Sequence, residues 1–396
     1  VAVITHAGLR ALLRDWPKYP GCRRVRRAPL VTSAFPGDFN LSSTEHHWMR
    51  ELGGYLGWDR DYVFTTVQSC VRLGDVALLS TPAGDRYLGV FEMGDLCGEI
   101  ALRARPDYEV VQRWQIAELV RLLGVLGIPP ARIHASYSAG GRIGALTAGR
   151  YRFDAEIPVD ALSRDAFLAA GVPEANLRPD ATRDTLLALH VHRPTPWGYR
   201  NEVHVDVGAP GRPRLIDVAT AEYFVWRPRF RGPDPRREDI IGLLPLETGA
   251  TGIGVGLERL AMVSNDLARI HDVDYLRPFY EAMRAAAGRA LRADDYVAGE
   301  SLRALHRIEA DLRFHPEAAG ERREGGVRLS ARRRKKLARL KRNVPARLGA
   351  AGLEKLLVAH SESQPWHEHL AAAIEPTIAR LVEYRASKGR ALVLDG

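Results

Sequence analysis

Gly252-Ile253-Gly254-Val255-Gly256-Leu257-Glu258-Arg259 places a glycine at every second position and an arginine three residues after the last of them. In an extended chain such glycines share one face, and with no Cβ there a ligand can approach the backbone closely. An arginine at the start of the helix that follows can then face a phosphate. The run does not meet the G-x-G-x-x-G pattern of dinucleotide folds, which needs a different spacing and a later acidic residue. A glycine-rich turn before a helix is the plainer alternative. A second group lies far upstream. Cys70-Val71-Arg72 ends a strand, Leu73 to Asp85 is an excursion, and Arg86 to Met93 returns. An antiparallel pair of this kind sets Arg72 on one face, with Phe91 positioned to stack on a base. A fixed guanidinium suits a phosphoryl oxygen that gains charge during a displacement.

These residues need a scaffold, and its elements are readable. Tyr62–Val67, Val76–Ser80, Tyr87–Met93 and Ile133–Tyr137 are expected strands, as are Val203–Val207 and Leu215–Ala219. The spacing of Val111, Trp114, Glu118 and Leu122 predicts a helix over Pro106–Gly127, stopped by Pro129-Pro130. Asp160–Gly171 is a short helix, and Trp226–Pro235, with its Pro and Arg content, is expected to be a loop. After Leu257 the chain turns helical, over Leu257–Ala268, Tyr275–Leu291, Gly299–Leu312, Ser330–Lys341 and Arg347–Glu383, with a boundary near residue 268. The expected organisation is an α+β domain over 1–268 followed by a helical domain over 269–396.

Composition narrows the classes. In 396 residues, 46% hydrophobic and 27% charged content supports a sizeable core and argues against disorder. Lys and Arg outnumber Asp and Glu 57 to 48, a net +9 that admits anionic partners without naming one. Cys22, Cys70 and Cys97 contain no C-x-x-C pair, which excludes a disulfide scaffold and an all-thiolate zinc site. No run approaches the ~20 apolar residues of a membrane helix, and Val1–Trp16 lacks the pattern of a signal peptide. A soluble, cytoplasmic protein without membrane partners is expected.

The two clusters together resemble the class II aminoacyl-tRNA synthetases, and among them the alanyl-tRNA synthetase family. Arg72 resembles the motif 2 arginine that holds the ATP α-phosphate. The return Arg86–Met93 resembles the second half of that motif, with Phe91 stacking on adenine. Gly252–Arg259 resembles motif 3, whose closing arginine, here Arg259, meets the γ-phosphate. The alanyl likeness rests on Thr65-Thr66-Val67-Gln68-Ser69-Cys70-Val71-Arg72, on Phe91-Glu92-Met93, and on Pro196 to Gly208, which resembles a cysteine-containing loop of the family with both cysteines replaced. Order and spacing match from about residue 5 to 268. Ser301-Leu302-Arg303 and the basic helix after Ser330 resemble the tRNA-recognition domain more weakly.

The resemblance implies a class II antiparallel sheet flanked by helices, with ATP and Mg²⁺ as cofactors. It implies an ATP site of Arg72, Arg86, Phe91, Glu92, Met93, Gly254, Gly256 and Arg259, of which Arg72 and Arg259 serve catalysis. For the amino acid it implies Glu202, His204, Asp217, Thr220 and the position of Gly252. There the family has an aspartate that holds the substrate amine, for which Glu247 or Asp217 could substitute. Thr220 stands where the family has asparagine, so the amino-acid pocket is altered and alanine is the leading substrate. Glu92 and Glu202 suit ATP, metal or the substrate ammonium, or are ordinary strand-end carboxylates. His190, His192 and His204, and the pair His46-His47, read more simply as structural or surface histidines.

The run Arg332-Arg333-Arg334-Lys335-Lys336, extended by Arg322, Arg323, Arg328, Arg339, Lys341 and Arg342, could grip RNA phosphates, or be a solvated helix face. No aromatic is interleaved there, so base stacking is not expected. The chain has no room for the family's editing and C-terminal domains, so a short form is expected. Three functions follow: a ligase that activates an amino acid and passes it to a small amine or nucleoside-type acceptor of a natural-product (antibiotic) pathway, the leading expectation; aminoacylation of tRNA; or a non-catalytic paralogue that binds RNA or an amino acid.

Overall fold

The computed structural model describes residues 3–32, 35, 37–40, 47–48, 60–148, 151–189, 195–209, 211–232, 239–314, 322–323, 326–327 and 329–388. His46, His190, His192 and Arg328 lie outside the described residues. The architecture is α+β: an eleven-stranded sheet flanked by helices, and a helical region after residue 256. Cys22, Cys70 and Cys97 are free thiols.

The strands that matter for the site are β1 (Arg23–Arg24), β2 (Tyr62–Thr65), β3 (Val67–Val71), β4 (Val90–Asp95), β5 (Glu99–Leu102) and β6 (Ile133–Ser138), then β7 (Leu177–Asp180), β8 (Trp197–Asp206), β9 (Leu215–Phe230) and β10 (Ile240–Gly256). The central path runs β1, β2, β5, β10, β9, β8, β6, β7, and β4 pairs with both β10 and β3. The sheet is antiparallel except at its ends, where β1 and β2 pair in parallel, as do β6 and β7. Parallel neighbours need a crossover. For β6 and β7 it includes a hairpin, Gly141–Ala148 with Tyr151–Ile157, and the helix Ala161–Ala169.

Two segments differ from expectation. Val76–Ser80 lies largely in a helix, Leu73–Leu78, rather than a strand. Leu73, Val76 and Leu79 are buried at intervals of three, which turns one helical face to the core and outweighs the strand preference of valine. Asp75 sits in the first turn, where the helix dipole favours a carboxylate. Trp226–Phe230 is not loop but the outer part of β9. Trp226 pairs with Pro245, and Phe230 with Ile240. The pairing of β8 with β9 stops at Trp226, so Pro228 has a ladder partner on one side only, and a missing N–H is tolerated there.

The helices after the sheet are α1 (Leu257–Ser264), α2 (Arg277–Ala287), α3 (Ala293–Phe314), α4 (Ala331–Asn343), α5 (Ala350–Glu362) and α6 (Ile374–Ala386). The large sheet ends at Gly256, a short hairpin pairs Arg322–Arg323 with Gly326–Val327, and the apolar core runs on through the region of residue 268. One cluster joins Leu9 and Leu13 near the N-terminus, Ile253 and Val255 of β10, Leu302 and Leu305 of α3, and Leu381 of α6. Polar ties reinforce this. The buried Glu300 carboxylate accepts from Gly89 N at 2.7 Å and Val90 N at 3.3 Å, and Asp311 accepts from Leu30 N at 2.6 Å. The helical region thus braces β4, the strand that carries Phe91.

Candidate functional site

β10 forms the floor of the site. Strand alternation puts Gly252, Gly254 and Gly256 on one face, and Thr251, Ile253 and Val255, all buried, on the other. The glycine run is therefore strand and not turn, and α1 begins directly after Gly256. Register then determines what surrounds the floor. Gly254 lies between Thr220 of β9 and Asp95 of β4, and Gly256 lies opposite Met93. Thr220 in turn faces Glu202 of β8.

Above this floor is a cavity of about 330 Å³. Arg72, Arg86, Phe91, Met93, Glu202, Asp217, Thr220, Gly254, Gly256 and Arg259 all line it. The arginines come from different elements. Arg72 stands between β3 and the short helix Leu73–Leu78, its guanidinium 5.1 Å from the Phe91 ring centre. Arg86 donates to the Leu215 carbonyl at 2.7 Å. Arg259, in the first turn of α1, is held by Asp217 at 2.5 Å and lies 5.6 Å from the Tyr87 ring centre. Three guanidinium groups, an aromatic face and a strip of bare backbone suit a polyphosphate attached to a planar base.

The carboxylate side is as specific. Glu202 forms an ion pair with Arg200 at 2.9 Å and accepts from Thr220 Oγ1 at 3.2 Å. Burial, with the nearby Asp217 charge, pushes its carboxyl up to about 7 against the pull of Arg200 and Arg72. Burial chiefly, and then the Glu92 charge, raises Glu258 to about 7 as well. Glu258 accepts from Tyr275 Oη at 2.5 Å and from Glu92 N at 3.0 Å. Folded Glu258 thus keeps a proton that the unfolded chain has already released above its ordinary value of 4.5. Its contribution to stability falls as pH rises from about 4.5 to about 7 and is constant beyond. Glu258→Gln should remove that slope: the melting temperature of the variant relative to the parent should rise between pH 5 and pH 7.5. A constant difference would refute the shift.

Other expected site residues lie elsewhere. Glu92 neighbours Phe91 and Met93 in β4, so alternation turns it to the opposite face, away from the cavity. There it is buried among Arg10, His6 at 3.6 Å and Arg307 at 3.7 Å; although burial opposes its charge, Arg10, His6 and Arg307 hold its carboxyl below the ordinary range. His204 is half-buried, paired across strands with Asp217 and His134, and does not border the cavity; burial lowers its pKa. Gly252 does not border it either, because the carboxylate of Glu99 lies over it. Of the residues suggested to replace the amine-binding aspartate, Glu247 is exposed and outside the cavity, and Asp217 is engaged by Arg259.

The basic run forms α4, and its residues divide. Arg333 is buried: Nε donates to the Asp38 carbonyl at 2.8 Å, and Nη2 to those of Phe35, at 2.6 Å, and Thr32. Lys336 pairs with the Asp38 carboxylate. Arg332, Arg334, Lys335, Arg339 and Arg342 are exposed.

The cavity also holds residues that sequence reasoning missed, chiefly Trp48, Asp75, Glu99, Arg200 and Glu222. Arg200 and Glu222 stand two positions from Glu202 and Thr220, so strand alternation alone carried a signal for both. Nothing local marked Glu99 or Trp48.

In sequence, part of the chain is similar to alanine–tRNA ligases. An alanine–tRNA ligase of Cutibacterium acnes (strain DSM 16379 / KPA171202) is 25% identical over 248 residues, 59% of this chain and 25% of that protein. One from Clavibacter sepedonicus is 26% identical over 241 residues, 58% of this chain and 24% of that protein. The chain is alanyl-tRNA synthetase-like. The corresponding protein of Mycobacterium tuberculosis (strain ATCC 25618 / H37Rv) is 30% identical over a shorter stretch of 129 residues, 31% of this chain and 14% of that protein. No family model matches the chain. It spans about a quarter of the length of the alanyl-tRNA synthetase relatives it matches over the longest stretches. Among the described residues no helix is long and apolar enough to cross a membrane.

Proposed function

We propose that the protein is an ATP-dependent ligase that activates an amino acid, with alanine the leading substrate, as an aminoacyl-adenylate. The observation that carries this reading is the convergence of Arg72, Phe91 and Arg259 on one cavity floored by Gly254 and Gly256. In the proposed reaction, an oxygen of the amino-acid carboxylate attacks the α-phosphorus of ATP, and the bond to the bridging oxygen breaks to release pyrophosphate. Arg72 stabilises the charge gathering on the α-phosphoryl oxygens, Arg259 holds the γ-phosphate, and Phe91 stacks on the base. A nucleophile then attacks the acyl carbon and AMP leaves.

Mg²⁺ fits this site as a phosphate-bound ion. It needs only one or two carboxylates besides phosphate oxygens and water, and no cluster of three acidic or histidine ligands occurs among the described residues. Glu202 and Asp217 are the carboxylates that would hold it, and its chemistry would be to neutralise phosphate charge.

For the acceptor we favour a small amine or nucleoside-type molecule, with tRNA as the second reading. The burial of Arg333 and the pairing of the half-buried Lys336 with Asp38 leave α4 a thinner cationic face than its sequence suggests. The exposed Arg332, Arg334 and Lys335 keep the tRNA reading in view. Replacing these three with serine should leave activation within about twofold and, if RNA binds there, weaken its salt-dependent binding by ~10-fold or more. Loss of charging of tRNA in this variant, with activation intact, would establish tRNA as the acceptor.

The deciding experiment for activation is amino-acid-dependent exchange of labelled pyrophosphate into ATP across the twenty amino acids. Exchange with one of them, alanine first, is expected. Salt-sensitive RNA binding with no exchange and no ATP turnover would replace this reading with a non-catalytic binding protein.

A further inference from the structure

Gly252 belongs to the glycine strip, yet the side chain of Glu99 covers it. A Cβ at 252 would stand 2.4 Å from Glu99 Oε2 and 2.6 Å from Oε1, so the absence of a side chain there makes room for this carboxylate. Glu222 is the cross-strand neighbour of Gly252, and Glu99 and Glu222 both border the cavity. Trp48 also borders the cavity, its indole beside the Glu99 carboxylate. Arg200, cross-strand from Glu222, is neutralised by its ion pair with Glu202 at 2.9 Å, and Arg72, Arg86 and Arg259 lie toward the other end. Gly256 is 3.9 Å from the Arg259 side chain when given a Cβ, and four strand positions, about 13 Å, separate it from Gly252.

The cavity is therefore bipolar, and a ligand that fills it is anionic at one end and cationic at the other. We propose that Glu99, with Glu222 beside it, receives the protonated amine of the acid being activated, whose aliphatic part lies against Trp48 and Phe224. This assignment rests on the activation reading above and gives the substrate class its chemical mark, a carboxylic acid bearing an ammonium group. The surroundings agree. Burial first, then the charges of Asp95 and Glu222, push Glu99 well above the usual carboxyl range. An ammonium among these groups favours their ionised forms and supplies the opposite charge that a buried carboxylate needs.

Two stable adenylate mimics test this directly by calorimetry: adenosine 5′-sulfamate acylated with L-alanine, and the same compound acylated with propionate, which lacks only the amine. The protein should bind the alanyl compound at least ~10-fold more tightly, as expected for a charge-assisted hydrogen bond. Glu99→Gln should bring the two within about threefold by weakening the alanyl compound alone. Gly252→Ala provides a second route, since its methyl group displaces the flexible end of Glu99 and should erase the same preference. Unchanged preference in both variants, or no preference in the parent protein, overturns the assignment. If neither mimic binds the parent protein, the activation reading fails and this assignment with it.

Discussion

Arg72→Ala should lower pyrophosphate exchange by at least ~100-fold, the scale seen when one preorganised donor is removed from a developing charge, while the protein stays folded. The side chain is half-buried at the rim of the cavity, against Phe91 at 5.1 Å and Met93 Sδ at 3.4 Å, and not in the apolar interior. Its loss therefore removes a cation without opening a core. Arg72→Lys should recover little, because a single ammonium cannot reproduce the two-pronged guanidinium contact with a phosphoryl group. Unchanged exchange in the alanine variant, with a melting temperature like that of the parent, would remove Arg72 from the phosphate site.

The second large effect is on stability. Glu300 is fully buried, with Arg303 and Tyr280 donating to one oxygen and the Gly89 and Val90 amides to the other. Glu300→Ala leaves the buried Arg303 without its nearest counter-charge, and Gly89 and Val90 without their acceptor. Such a break costs about 3–5 kcal/mol, readable in urea unfolding monitored by tryptophan fluorescence. The double replacement Glu300→Met with Arg303→Met should cost less, since no isolated charge remains. A loss below about 1 kcal/mol in the single variant would show that α3 is not the brace that holds β4 in place.

Much of the fold and of the cavity lining is legible in the sequence. Arg72 and Arg259 were marked by residue type and spacing, and Phe91 by its place on the returning strand. Their order along the chain carried the family resemblance. What escaped depended on which way a side chain points. Glu92 adjoins Phe91, and adjacent strand residues cannot serve the same face. Arg333 sits in a cationic block but shares a helical face with the buried Leu337 and Leu340, four and seven positions on. The Leu73, Val76, Leu79 spacing was a helical signal hidden by β-branched composition. Glu99 is of another kind: its meaning arises only when β5 is laid beside β10, and Thr251 pairs with Ile100 one position away. No local pattern encodes that meeting.

The same strand settles how the sheet avoids misalignment. A displacement of β10 by one residue against β9 would exchange its two faces. Ile253 and Val255, now buried, would project into the cavity, and three glycines would line a core that needs filling. Such a misregistered chain loses apolar burial and plugs its own ligand cavity in a single error. The bare strip that admits a ligand therefore also acts as a proofreading device during folding, because only one alignment yields both a filled interior and an open site.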